Sequence, residues 1–156
     1  MRFAFAVALS IGLSTAAATR AQVTWPLFGQ WVNEARTAQV ELYPCPGSGY
    51  GPVCGRLVRL FEPKLPDGTP TDQESIRDFR NPDPALRDRP VIGSIVLWGF
   101  KLAADGRSYE DGRAYNADEG ATYRATLTPQ PDGRLNLRGY IGVPLLGRTT
   151  TWVRAP

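Results

Sequence analysis

Two short motifs bracket the foldable part of this chain: Gly29-Gln30-Trp31 towards one end and Trp152-Val153-Arg154 at the other. Between them lie short strand-like runs separated by turn residues. Many short strands expose backbone edges that must be covered or paired. A Gly-x-Trp on a first strand, met by an Arg on a last strand, lets a small antiparallel sheet close on itself. The two motifs therefore point to a β-barrel. They do not point to an activity.

Eight strands can be read along the chain, at Phe28–Val32, Gln39–Tyr43, Val53–Phe61, Val91–Leu102, Arg107–Tyr115, Ala121–Thr128, Arg134–Ile141 and Arg148–Arg154. Most are joined by short turns, such as Asp105-Gly106 and Asn116 to Gly120. The clearest alternation puts Ala121, Tyr123, Ala125 and Leu127 on one face of a strand, and Leu135, Leu137, Gly139 and Ile141 inward on the next. The exception to short connections is Glu62–Pro90, with six prolines in 29 residues. Connections of that length often serve as lids or binding loops. Within it, Thr71-Asp72-Gln73-Glu74 has the form of a capping box and predicts a short helix from Asp72 to about Phe79. The expected fold is all-β: a single up-and-down antiparallel barrel of about eight strands with one long loop. Such a barrel either fills itself with side chains or holds one small ligand. Inward Ala121, Ala125 and Gly139 fit both outcomes, since they leave space or make room for large neighbours such as Trp98.

Ahead of the barrel, Arg2, the uncharged run Phe3–Leu13 and the small residues after it read as a secretory signal peptide. Residues 1–21 form that segment, with cleavage after Ala18 or Ala21, which leaves 22–156 as one barrel domain. The apolar run is shorter than the roughly 20 residues a membrane-spanning helix needs, and nothing later in the chain is long and apolar enough to be a membrane span. In an exported protein Cys45 and Cys54, at the ends of a Gly/Pro-rich stretch, should form a disulfide. The chain has no histidine and these are its only cysteines, so no metal site is expected. The 18 basic residues against 15 acidic ones include Arg2 and Arg20, which leave with the signal peptide. The near-neutral remainder, with no basic run interleaved with aromatics, argues against nucleic acid as a partner. Without histidine the usual proton shuttle at neutral pH is missing. Asp67, Asp72, Asp78 and Asp83 show no spacing of a catalytic carboxylate pair or a cation cage. No catalytic residue and no cofactor are expected.

Several stretches in combination resemble a family of bacterial exported proteins, the domain-of-unknown-function family 2147. They are Gly29-x-Trp31, Cys54-Gly55-Arg56-Leu57-Val58, Asn81-Pro82-Asp83 with Arg87, Arg89 and Pro90, and Gly93-Ser94-Ile95-Val96-Leu97. Tyr115-Asn116 with Gly120 and Tyr123, Leu137-Arg138-Gly139-Tyr140-Ile141-Gly142, and the tail from Leu146-Gly147-Arg148-Thr149 to Trp152 and Arg154 complete the set. Tyr109 and Ala117 depart from the family pattern, which usually has Trp and Pro there. The resemblance implies a calycin-like barrel of the lipocalin type and carries no assigned activity; the signal peptide sets the expected location as periplasmic or secreted. In that architecture Trp31 covers one barrel end and Arg154 packs on it, a structural closure.

Candidate functional residues fall into two groups. Trp98, Tyr115 and Tyr123 are the ligand-binding candidates, because Trp and Tyr bring an apolar body with one polar handle. Arg138 and Tyr140 fall on the opposite face from Tyr123. In the long loop, Asn81, Asp83, Arg87 and Arg89 either recognise a polar head group or simply form side-chain turns around proline with the arginines paired to them. The leading functional expectation is an exported, non-enzymatic barrel that binds a small, mainly apolar ligand. The alternative is a filled barrel that docks an envelope protein through its outer face or long loop.

Overall fold

A computed structural model describes residues 27–47 and 49–156; the signal peptide expected over residues 1–21 lies outside them. Eight antiparallel strands form a closed ring in the order β1 (Gly29–Val32), β2 (Ala38–Tyr43), β3 (Cys54–Leu60), β4 (Ile95–Trp98), β6 (Tyr109–Asn116), β7 (Ala121–Pro129), β8 (Leu135–Tyr140) and β9 (Arg148–Arg154). The two-residue β5 (Lys101–Leu102) extends the pairing along β6 beyond the end of β4. The ring closes where β1 meets β9, with Trp31 opposite Arg154 and Val32 opposite Val153. Closure leaves no long edge unpaired.

The run expected as one strand over Val91–Leu102 is thus broken. Gly99 takes a positive φ of 79°, and Phe100 turns into the barrel, where it is fully buried. The opposing residue on β6 has to be Gly112, because a Cβ there would lie 2.2 Å from the Phe100 ring. Phe100, Leu127, Leu135, Ala125, Leu42 and Trp31 fill this end of the barrel with almost no exposure. Each large side chain so buried contributes about 1.5–3 kcal/mol. Ile141, expected to face inward, lies in the β8–β9 turn and is 74% exposed.

The same end carries the Cys45–Cys54 disulfide, with Cα atoms 4.9 Å apart. It closes the β2–β3 hairpin, whose Tyr50 carbonyl accepts a hydrogen bond from the Gly99 amide at 2.6 Å. Closing a loop of about ten residues stabilises by about 2.5–3 kcal/mol on the chain-entropy account.

The long connection from β3 to β4 does not form the expected helix. In its place stands one 3-10 turn, Gln73–Ser75, capped by Asp72 rather than Thr71. The Asp72 carboxylate accepts from the Ser75 amide at 2.8 Å. Ile76 then becomes extended because its carbonyl receives the Val91 amide, while Arg77 bridges Pro90. The loop thus doubles back on itself at two bridges, Lys64 with Pro70 and Arg77 with Pro90. A second 3-10 turn, Pro84–Leu86, is capped by Asp83.

Candidate functional site

The half of the barrel away from Phe100 is hollow. A cavity of about 960 Å³ opens between the β1–β2 turn, the long loop and the β6–β7 turn. Its inner wall is apolar, built from Val40, Leu57, Leu97, Leu137 and Trp152. These residues point inward by strand alternation from β2, β3, β4, β8 and β9. Gly139 on β8 leaves the wall open where a side chain would stand, and the nearest atom to an added Cβ is the Tyr123 Cβ at 3.7 Å. The indole N–H of Trp152 donates to Thr150 Oγ1 at 3.1 Å, so the aromatic wall presents no unmet donor to an apolar guest. The mouth is polar, with Arg77, Arg80, Asp118, Glu119, Tyr123 and Arg148 around it. The Tyr123 hydroxyl donates to the Glu119 carboxylate, and that bond holds the phenol above its ordinary pKa.

The cover over this mouth is held by a buried polar hub. Asp78 is 1% exposed. Its carboxylate accepts from the Tyr115 hydroxyl at 2.5 Å, from Asn81 Nδ2 at 2.7 Å, and from Arg89 Nε and Nη2 at 2.9 and 2.7 Å. The Arg89 guanidinium also lies 5.8 Å from the centre of the Tyr115 ring. Both oxygens of the carboxylate are thus engaged, Oδ1 by Tyr115 and Oδ2 by Asn81 and Arg89, as a buried charge requires. Tyr115 reaches the hub from the end of β6, so the hub ties the loop to the barrel wall. Arg80 adds a second tie by donating to the Asp118 carbonyl at 2.6 Å.

Burial, reinforced by the hydrogen bond to Asp78 and the charge of that carboxylate, pushes the Tyr115 phenol up to about 12. The unfolded chain releases that proton near pH 10. The folded state therefore holds more protons between pH 10 and 12, and stability falls with rising pH across that window. The contribution is complete below pH 10. Denaturant unfolding at pH 9, 10 and 11 is expected to show this fall in the wild type and a shallower one in Tyr115→Phe, with Tyr123 supplying the remainder. Equal slopes in the two proteins would rule out the assignment.

The candidate residues separate cleanly. Tyr115 and Tyr123 both line the cavity. Trp98 does not: Leu97 takes the inward position and Trp98 faces outward, beside Arg113 and Arg124. Asn81, Asp83, Arg87 and Arg89 do not line the cavity either. Asn81 and Arg89 bond to Asp78, Arg87 Nε donates to the Asn81 carbonyl at 2.8 Å, and Asp83 caps the Pro84–Leu86 turn. This set holds the loop together, while Arg77 and Arg80, which the sequence did not single out, supply its charge at the mouth. The hub role of Asp78 is likewise absent from the sequence pattern. Its partners stand 3, 11 and 37 residues away, a separation with no local signature.

A closed eight-stranded barrel with one filled end, one open end and a loop over the opening defines a lipocalin-like protein. A solved structure from Helicobacter pylori, described as a protein of the lipocalin family, is similar to this chain with a TM-score of 0.65, 26% identity and 85% of each chain covered. The chain belongs to the domain-of-unknown-function family 2147, described as uncharacterized proteins conserved in bacteria, whose pattern matches residues 29–154. No curated protein matches the chain.

Proposed function

We propose that this protein is an exported, non-catalytic barrel that takes up one small, mainly apolar ligand, with the body of the ligand against the inner wall and a polar end at the mouth. The observation that carries the reading is the cavity of about 960 Å³, apolar within and polar at its rim. Ligand sites typically enclose roughly 300–1,000 Å³ with mostly apolar linings and a few placed polar groups. The disulfide supports export, as does the leader read from residues 1–21, and the mature chain would then start at residue 19 or 22.

Native mass spectrometry of gently purified protein is expected to show an added small mass that disappears on denaturation. An uncharged solvatochromic dye should enter the emptied barrel. Gly139→Leu extends a side chain into the cavity and is expected to cut dye affinity at least tenfold without lowering the melting temperature. A clean unliganded mass together with no dye uptake would overturn the proposal. The second reading, a docking module for an envelope protein, would then stand in its place. It has its own support in the β8–β9 turn, where Ile141, Leu145 and Leu146 are 74%, 86% and 79% exposed.

A further inference from the structure

The outer face of the barrel holds a second arrangement that the cavity does not explain. Where Leu97 and Ala114 pair across β4 and β6 facing inward, the next pair, Trp98 and Arg113, faces outward. Arg113 stands directly opposite Arg124 on β7, and Arg124 opposite Tyr140 on β8. The Arg124 guanidinium lies 5.7 Å from the centre of the Tyr140 ring. Like charges set directly across neighbouring strands destabilise a sheet. Lys101 from β5 adds a third cation to the same recess, which measures about 460 Å³.

Among the described residues Asp111 is the one acid lining the recess, a single carboxylate against three cations. It pairs with Lys101 Nζ at 3.5 Å and Arg124 Nη2 at 3.8 Å, contacts longer than the roughly 2.7–2.9 Å of a strong charge-assisted hydrogen bond, and the group keeps a net positive charge. Asp111 also takes a φ of +62° within the irregularity that separates Tyr109 from Gly112 in the β6–β7 register. Bulges and left-handed non-glycine residues concentrate where a side chain is re-aimed for function. Arg113 Nη1 donates to the Asp111 and Gly112 carbonyls at 3.1 and 3.0 Å, which holds its guanidinium over the bulge. The backbone ladder of the barrel requires none of these side chains.

We propose that this recess is a second binding site, for a carboxylate or phosphate borne on a sugar-like ring, with the ring on Trp98 and the oxyanion between Arg113, Arg124 and Lys101. Guanidinium groups suit oxyanions because their planar forks match them bidentately. The site stands apart from the barrel cavity and does not depend on it.

The test follows the Trp98 indole N–H by NMR, identified by its loss in Trp98→Phe, while the protein is titrated with glucuronate, glucose 6-phosphate, inorganic phosphate and glucose. Glucuronate or glucose 6-phosphate is expected to move the Trp98 signal saturably and leave the Trp31 and Trp152 signals in place; the better of the two identifies the acid group. Glucose should bind at least tenfold more weakly, and the affinity of the charged probe should fall with added salt. The double variant Arg113→Gln/Arg124→Gln should weaken the charged probe at least tenfold and, with the repulsion relieved, melt no lower than the wild type. Lys101→Gln provides a second, independent loss of affinity in a largely exposed side chain. An unmoved Trp98 signal, equal affinity in the double variant, or inorganic phosphate binding as tightly as the ringed probes would overturn the proposal.

Discussion

Replacing Trp31 by alanine is expected to lower the unfolding free energy by about 3–5 kcal/mol, the range for removing a large aromatic from a packed core. A fall in melting temperature on the order of 10 °C or more follows. Trp31 is 3% exposed, and its indole N–H donates to the Leu27 carbonyl at 2.9 Å. The Arg154 guanidinium lies 4.1 Å from its ring centre and donates to the Phe28 carbonyl at 2.8 Å. The glycine two residues before Trp31 belongs to the same device. Gly29 has a φ of +118°, and a Cβ there would stand 2.6 Å from Arg154 Nη1. The Gly-x-Trp motif is thus one requirement: the glycine leaves space for the guanidinium that covers the tryptophan. Arg154→Ala should have a smaller effect, since it removes a stacked cation worth about 0.5–2 kcal/mol and one hydrogen bond while Trp31 stays packed. Thermal unfolding of both variants checks the ranking, and an unchanged melting temperature in Trp31→Ala would remove the closure role.

This device was legible in the sequence because it sits on the first and last strands, where the motif residues are few and their types unusual. The alternating strands β7 and β8 were legible for the reason that period-two patterns usually are: one face is packed and the other is wet. The outward facing of Trp98 is not legible, because Val91–Leu102 starts as an apolar run on both faces. Such a run sets no phase, and the break at Gly99 and Phe100 is visible only once Phe100 is seen to enter the barrel. The facing of Arg113 and Arg124 depends on the register between two strands, which neither strand's pattern contains. The long loop stands out in the sequence, but the helix expected within it does not form. Asp72 does cap a turn, yet the Val91 amide and Pro90 recruit Ile76 and Arg77 into extended pairing one residue later. Tertiary pairing overrode a local signal worth little more than one cap.

Asp78→Ala is expected to cost about 3–5 kcal/mol, because removing one partner of a buried pair leaves the others without theirs. The value should fall towards the low end, since the Arg89 side chain is 35% exposed and can turn to water. The loss should not be spread evenly over the molecule. Asp78, Asn81, Tyr115 and Arg89 tie the long loop to β6, whereas Phe100 and Leu135 pack at the other end of the barrel. Hydrogen exchange is therefore expected to accelerate most over residues 76–91, with β7 to β9 at the filled end protected nearly as in the wild type. Tyr115→Phe removes one of the four donors to the same carboxylate and should cost about 1 kcal/mol. The double variant should be less destabilised than the sum of the two, the mark of residues acting in one network. If the loop is the cover of the cavity, freeing it should also speed release of a bound apolar dye more than it changes the affinity, because the wall that contacts the dye is untouched. Uniform acceleration of exchange across all strands would instead make Asp78 a part of the barrel's general stability, and the loop would lose its standing as a separately held cover.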